Sequence, residues 1–498
     1  MFHRTVLAGV ALIALTAATP PPGAVALPGP QSISEADKAT GAKADPEMSA
    51  EYGGAYAGPQ SDQVRRVGIS VARQSGIAGV DKDFKFTLLN SAVPNAFAIP
   101  GGYVYCTRAL LALMNSEAEL AFVLSHETGH IAAHHSEKRA KVAQRDTLLG
   151  ALGQTLLGAV LGNGAVGKIG GQLGQAGIQR LVVGDVMHHS RAEEFEADDL
   201  GVAYMEKAGY DGTASSDILA SLAAQSALDA KVTGKTRTVP SWAMSHPDPA
   251  ARVARALQRA RLLGQKSGLR GGDAFLWSLK GMLYGDDPQQ GVIEGQTFKY
   301  PADKIQFTAP AGYGMANGSD AVTITATAGG AGQAKFTGGA YDGNLSGVIS
   351  SALTSLGANG AAAPAATRTS VNGLEAMTVT VAASGTSGEA LDVTVVALAT
   401  SPKLAYSFAV IQPRGRSLGD LGPLVQSFRR MTAAEAAAVR PRVIDVVTVG
   451  SKDTVATLAA RMAYPDLQAE RFRVLNGIAA TTTRLAPGRK VKLVVWAK

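Results

Sequence analysis

The run His126-Glu127-Thr128-Gly129-His130 constrains this chain more than any other feature, because it lies inside an apolar stretch. Leu120, Val123 and Leu124 precede it, and Ile131 to Ala133 follow. Ser116 with Glu119 makes a capping box ahead of these residues, so a long helix is expected. Four residues apart on a helix, His126 and His130 project from one face and can grip one tetrahedral metal ion. A surface helix with two solvated histidines is the plainer alternative. The apolar flanks argue against it, since they bury the helix, and buried polar rings need partners. Glu127, one residue on, can reach a water on the metal rather than the metal itself. The ion expected is zinc, Zn2+, one per chain.

Seven of the eight histidines lie between His126 and His246, so chemistry that needs imidazole is confined to the first domain. A tetrahedral site needs a third protein ligand. His134 and His135 are read as continuing the same helix, too close along it to complete the tetrahedron. The stretch Ser190 to Asp198 puts carboxylates on a second helix. Glu194 and Asp198 share a face with Gly201, whose missing side chain would let this helix approach the first closely. Glu194 is the expected ligand, and Asp198 the carboxylate that accepts from a ligand histidine. Glu193 and Glu196 are expected on a solvated face. The single cysteine, Cys106, excludes an intrachain disulfide, a multi-cysteine zinc site and a cysteine-ligated iron–sulfur cluster. It is expected to be a small buried hydrophobe.

His-Glu-x-x-His, then Ser-Arg-x-x-Glu-x-x-Ala-Asp, with Asn95-Ala96-Phe97-Ala98-x-Pro100-Gly101-Gly102 upstream, resembles the gluzincin zinc metallopeptidase family of the CAAX prenyl proteases. The resemblance covers roughly residues 50–285. It implies a zinc endopeptidase with His126, His130 and Glu194 as ligands and Glu127 as general base, acting on a protein or peptide. It also implies that residues 95–105, including Asn95, Ala96, Phe97, Ala98, Gly101 and Gly102, supply an edge strand that pairs with extended substrate. Ser245-His246-Pro247 ahead of Arg252 matches a family element beside the site. His246 and Arg252 are candidate donors to a developing oxyanion. For His246, a plain turn residue and a switch that covers the metal stay equally open. One secreted bacterial member of the family carries helical repeats that are not seen in this sequence, so its substrate does not carry over.

The expected fold class is multidomain α+β. Residues 1–26 read as a cleavable secretory signal: His3 and Arg4, an apolar run from Val6 to Ala18, and Ala24-Val25-Ala26. An irregular leader is expected over 27–60. The metallopeptidase domain, mainly helical with a small edge-strand sheet, is expected over 61–285. Its elements include a helix from near Ser61, a strand with Phe84, Phe86 and Leu88, and a hairpin around Pro100-Gly101-Gly102. Helices follow at 191–208, 214–229 and 249–263. An α+β domain with a mostly antiparallel sheet is expected over 295–432, with strands at 321–327, 376–383, 391–399 and 404–411 and helical segments at 345–356 and 417–430. A flexible loop is expected at 357–367 and a linker at 433–440. Residues 442–496 resemble the LysM module, a βααβ fold that binds cell-wall glycan. Lys452 stands where that family has glycine.

The charge balance, 47 − 40 = +7, is mild for 498 residues. With an exported chain it points to anionic envelope polymers or headgroups, and no nucleic-acid partner is expected. The uncharged 147–167 stretch is glycine-rich, and is read as a site cover or a loop touching the membrane surface rather than a span. Three functions stay open: an exported (periplasmic) endopeptidase acting on envelope proteins, a metallohydrolase of peptidoglycan cross-links aided by the LysM-like tail, and a chaperone or scaffold with a latent zinc site.

Overall fold

The computed structural model describes residues 27–139, 189–233, 246–263, 268–318, 321–327, 330–356, 365–385 and 389–498. The expected signal at 1–26, the 147–167 stretch and most of the 357–367 loop lie outside these residues. None of the described helices is long and apolar enough to cross a membrane.

The metal motif sits on the helix Glu117–Ala132, almost every residue of which is buried. Ser116 caps it, its Oγ accepting from Glu119 N at 3.3 Å. The expected capping box is half formed, because the Glu119 carboxylate instead accepts from Asn115 N at 3.0 Å. The second carboxylate-bearing helix, Arg191–Lys207, packs directly on the first. Here the glycines decide the spacing. A Cβ on Gly201 would lie 3.2 Å from the His126 backbone, and one on Gly129 would lie 3.2 Å from the Ala197 carbonyl. Helix Pro59–Ala72 covers the motif helix with Val64, Val67 and Val71. Helices Ala214–Thr233 and Pro249–Leu263 complete the shell, the first running four residues past its expected end.

A three-stranded sheet lies alongside, in the order Lys85–Leu89, Tyr103–Thr107, Ala96–Ile99. The hairpin is antiparallel, Ala96 opposite Cys106 and Ile99 opposite Tyr103. Gly101 and Gly102 make its turn at φ +91 and +86, angles that favour glycine. Ala96–Ile99 is therefore an edge strand, on the side nearer the motif helix. Cys106 is buried in the sheet, and burial pushes its thiol up, which makes it inert.

The expectation of an irregular leader is corrected. Glu35–Glu51 is a helix, N-capped by Ser34 through Asp37 N, with Pro46 inside it. Only Gly41 and Met48 are buried, so it presents no apolar stripe for a periodicity to reveal. Met48 packs with Phe97, Ile99 and Tyr105 on the outer face of the small sheet.

Residues 292–431 form two antiparallel sheets. Four strands order as Arg429–Arg430, Ile305–Thr308, Thr297–Tyr300, Val292–Glu294, and seven run from Thr367–Val371 at one edge to Tyr313–Asn317 at the other. Phe298, Phe307, Phe336, Tyr406, Phe408 and Phe428 pack between them. Helix Leu345–Ser355 covers the opposite face of the large sheet. The helical segment expected at 417–430 is only a short turn and helix, Gly419–Leu421 and Gly422–Gln426, before the chain enters a strand. The linker expected at 433–440 contains a short helix, Ala433–Ala437, capped by Thr432 and Glu435.

The last unit runs strand Arg442–Thr448, helices Val455–Ala459 and Gln468–Leu475, then strand Lys490–Trp496, the strands antiparallel. It does not stand apart. Leu283–Tyr284 adds a third strand to its sheet, and Ile444, Leu458, Phe472 and Leu493 belong to the same core cluster as Leu120 and Leu200. Lys492 is fully buried, and its Nζ donates to the Ala112 carbonyl at 2.6 Å and to the Met114 carbonyl. Asn476 is consumed internally, bonding the Lys492 backbone at both N and O.

Candidate metal centre

The motif helix presents His126 and His130 on one face, as its pitch requires, and the Arg191–Lys207 helix brings Glu194 against them. His126 Nε2 and His130 Nε2 are 3.0 Å apart. Glu194 Oε1 lies 3.4 Å from His130 Nε2, and Oε2 lies 3.6 Å from His126 Nε2. Donors bound to one tetrahedral zinc at ~2.0–2.1 Å stand about 3.3 Å from one another, so these spacings fit that ion. All three side chains are buried. A fourth joins them. His246 Nδ1 is 3.0 Å from Glu194 Oε1 and 3.3 Å from His126 Nε2. Donor atoms of His126, His130, Glu194 and His246 all lie within 4.8 Å of one another.

Electrostatics agree with this donor set. Burial pushes the Glu194 carboxyl up, but the charges of His246 and Arg252 outweigh it and hold the group well below the usual carboxylate range. Burial holds His130 well below the usual imidazole range, so it is a neutral ring with a lone pair to give. Glu127 is 1% exposed, and neither carboxylate oxygen accepts a hydrogen bond among the described residues. Its nearest charged neighbour is His246 Nε2, 3.4 Å from Oε1. Burial raises its carboxyl. A buried carboxylate without a donor is costly unless something at the site completes it, and a metal with its water would do so.

The support beneath the donors is also in place. Asp198 Oδ1 lies 3.0 Å from His126 Nδ1, which leaves Nε2 for the metal. Arg252 grips Asp198 through Nε at 2.7 Å and Nη2 at 2.6 Å, and its Nη1 meets Glu194. The guanidinium is thus engaged in holding the two carboxylates, whereas the sequence had offered it as an oxyanion donor. His246 Nε2 faces the Ala96 carbonyl of the edge strand at 3.2 Å. Of the other edge-strand residues, Ala96, Asn95 and Phe97 are buried, and Asn95 Nδ2 donates to Tyr52 Oη at 3.3 Å. Ala98 and Gly101 line a cavity with Ile33, Ile99, Ile131 and His130.

Sequence reasoning placed His135 and Glu196 away from this centre, and here the structure differs. His135 Nδ1 is 2.7 Å from His130 Nδ1, and His135 Nε2 is 3.2 Å from Glu196 Oε2. The motif helix ends at Ala132, and His134 takes a left-handed φ of +54, which swings His135 back toward His130. His189 was not singled out either, and its ring stacks on His130 with centroids 3.6 Å apart. His135, five positions past His130, was the available signal, but its direction depends on the bend.

Comparison with known proteins agrees with the site. A model described as peptidase family M48 matches residues 59–260. The β-barrel assembly-enhancing protease of Yersinia pestis is 32% identical over 180 residues, 36% of this chain and 34% of the relative. That of Escherichia coli K12 is 30% identical over 184 residues, 36% of this chain and 35% of the relative. The mitochondrial metalloendopeptidase OMA1 of Schizosaccharomyces pombe is 29% identical over 172 residues, 34% and 47% of the two chains. The match thus spans about a third of the first two relatives' length. Taken with the two histidines and the glutamate around one point, it identifies residues 59–260 as a zinc metallopeptidase domain of family M48.

Proposed function

We propose that this chain is an exported zinc-dependent endopeptidase that cuts extended segments of envelope proteins, misfolded ones among them. The observation that carries the reading is the buried Glu127 carboxylate, which accepts no hydrogen bond among the described residues, beside the converged His126, His130 and Glu194. Zinc held by those three residues would acidify a water and polarise a peptide carbonyl. Glu127 takes the proton of the attacking water and returns it to the leaving nitrogen. Its raised affinity for protons, from burial, suits a group that must accept and then release one. Asp198 keeps His126 in the tautomer with Nε2 free, and Arg252 holds Asp198 and Glu194 in register.

Ala96–Ile99 offers an extended substrate a sheet edge, which favours protein over short branched wall peptides. His246 stands where a tetrahedral site would take its fourth ligand and faces the same edge through Ala96. That position favours a covering switch over a standing oxyanion donor, so substrate entry displaces His246. Export rests on the N-terminal sequence pattern, and its resemblance to secretory signals.

The test is Glu127→Gln, assayed on an unfolded protein and on purified peptidoglycan side by side. Cleavage of the unfolded protein by the variant should fall at least 10²-fold below that of the parent, the lower range for a general base, with zinc still near one per chain. Loss of zinc in the variant would refute the role given to Glu127. Release of wall peptides without protein cleavage would refute the substrate class.

A further inference from the structure

We propose that His135 and Glu196 are positioning residues for the metal centre, a relay that fixes the tautomer and ring orientation of His130. The inference rests on the metal site proposed above and extends it by two residues. His130 turns its two nitrogens to different neighbours. Nε2 faces His126 and Glu194, at 3.0 and 3.4 Å, while Nδ1 faces His135 Nδ1 at 2.7 Å.

Two ring nitrogens at that separation share one proton. If His135 supplied it, the neutral His130 would carry its own proton on Nε2, where the metal must bind. The assignment that leaves Nε2 open has His130 Nδ1–H donating and His135 Nδ1 accepting. The neutral His135 then carries its proton on Nε2, 3.2 Å from Glu196 Oε2, and the carboxylate accepts it. Every proton in the chain has one place. A carboxylate at the far end of an imidazole pair selects the tautomer of the near ring, as it does when it touches a ligand histidine directly.

The two ligand histidines are therefore held in different ways. His126 Nδ1 meets the buried Asp198 carboxylate directly, at 3.0 Å. His130 reaches its carboxylate through His135, which is fully buried, and Glu196 is 52% exposed at the surface. The backbone is arranged for this. Without the left-handed turn at His134, a position five residues along the helix would sit about 140° away from His130 and could not reach Nδ1. His189 stacks on the other side of His130, so the ring is held by its face as well as by its edge.

A rival explanation exists for the same atoms. His130, His135 and His189 offer nitrogens close enough to hold a second ion. The Arg139 guanidinium lies against His189 Nδ1, however, and a fixed cation there opposes another. The donor–acceptor order above also uses the His130 and His135 nitrogens without a metal.

The experiment measures zinc affinity of the full chain by chelator competition, with Co2+ absorption as a spectral report on the ligand set. His135→Leu removes the acceptor, and zinc affinity should fall about 100-fold, the upper range for a lost partner of a ligand histidine. His135→Asn keeps an acceptor near the position of Nδ1 and should recover affinity to within about threefold of the parent, with an unchanged Co2+ spectrum. Glu196→Ala, a surface change that leaves the core intact, should lower affinity about tenfold. Parental affinity in both His135→Leu and Glu196→Ala would overturn the relay. Two zinc ions in the parent, one of them lost in His135→Leu, would also overturn it, by making His135 a ligand. His130→Ala is the control for the underlying site: if it binds zinc as the parent does, the metal reading fails rather than the relay. If His135→Leu does not fold, the Glu196→Ala measurement decides alone.

Discussion

The middle domain and the C-terminal unit follow each other in the chain, yet they relate to the peptidase domain in opposite ways. Residues 292–431 enclose two apolar clusters of their own, one of rings between the sheets and one beneath Leu345–Ser355. Residues 442–496 enclose none. Their buried side chains belong to the cluster that also contains the motif helix, and Leu283–Tyr284 extends their sheet. The short unit resembling an independent binding module is thus the one that finishes the peptidase core, and the long domain between them is an insertion. Small size is the physical reason. A unit of about 55 residues buries too little apolar surface to be comfortable alone, and a neighbour supplies the rest.

The largest test of this contrast is excision. Removing 442–498 should leave the peptidase domain insoluble or unfolded, since it strips several large side chains from one core, each worth ~2–5 kcal/mol. Replacing 292–431 by a Gly-Ser linker should leave a folded chain that still binds one zinc. Tyr284 already pairs with Arg442, so the two ends to be joined lie in one sheet. Zinc retained after the first deletion, measured on a soluble monomer, would break the comparison.

A smaller effect is expected at Lys492. Lys492→Met removes the donor to the Ala112 and Met114 carbonyls and leaves both acceptors buried. We expect a loss of about 2 kcal/mol from unsatisfied buried acceptors. It should appear in the melting transition that releases zinc, and leave any separate transition of the middle domain unmoved. A shift of the second transition would show that the C-terminal unit is coupled to the insertion instead.

The smallest effect is a pH dependence. Burial pushes the Glu119 carboxyl up to about 7 and brings Lys492 down to about 7, the two lying in each other's field. Glu119 binds its proton more tightly folded than unfolded, so its stabilising share is full below the ordinary value of 4.5 and is lost as pH rises to about 7. Lys492 binds its proton less tightly folded, so its share is full above 10.5 and is lost as pH falls to about 7. Both shares are smallest near neutrality, and Tm of the zinc-releasing transition should pass through a shallow minimum there. Glu119→Gln should flatten the acid limb alone. An acid limb that survives the substitution would assign the effect to other groups.

Much of the site was legible in the sequence because helical pitch is fixed. The spacing of His126 and His130 sets their common face whatever surrounds them, and the same holds for Glu194, Asp198 and Gly201 on the second helix. The hairpin at Pro100-Gly101-Gly102 was legible too, since its two glycines occupy angles that other residues resist. The leader helix was not, because only Gly41 and Met48 of it are buried, and two buried positions make no pattern.

What only the tertiary structure decided concerns direction across elements. Glu196 and Glu193 look alike in sequence, but Glu196 meets His135 because the chain bends at His134, and a backbone angle at one residue leaves no periodicity to read. In the sequence Arg252 is a candidate donor to a developing oxyanion, and only the approach of a separate helix shows it engaged with Asp198 and Glu194. Nothing in the sequence marks Lys492, and burial between two units separated by hundreds of residues makes it an internal donor. Local rules fix which side chains share a face. Which face meets which depends on how the whole chain packs its apolar surface, and that is a property of no single segment.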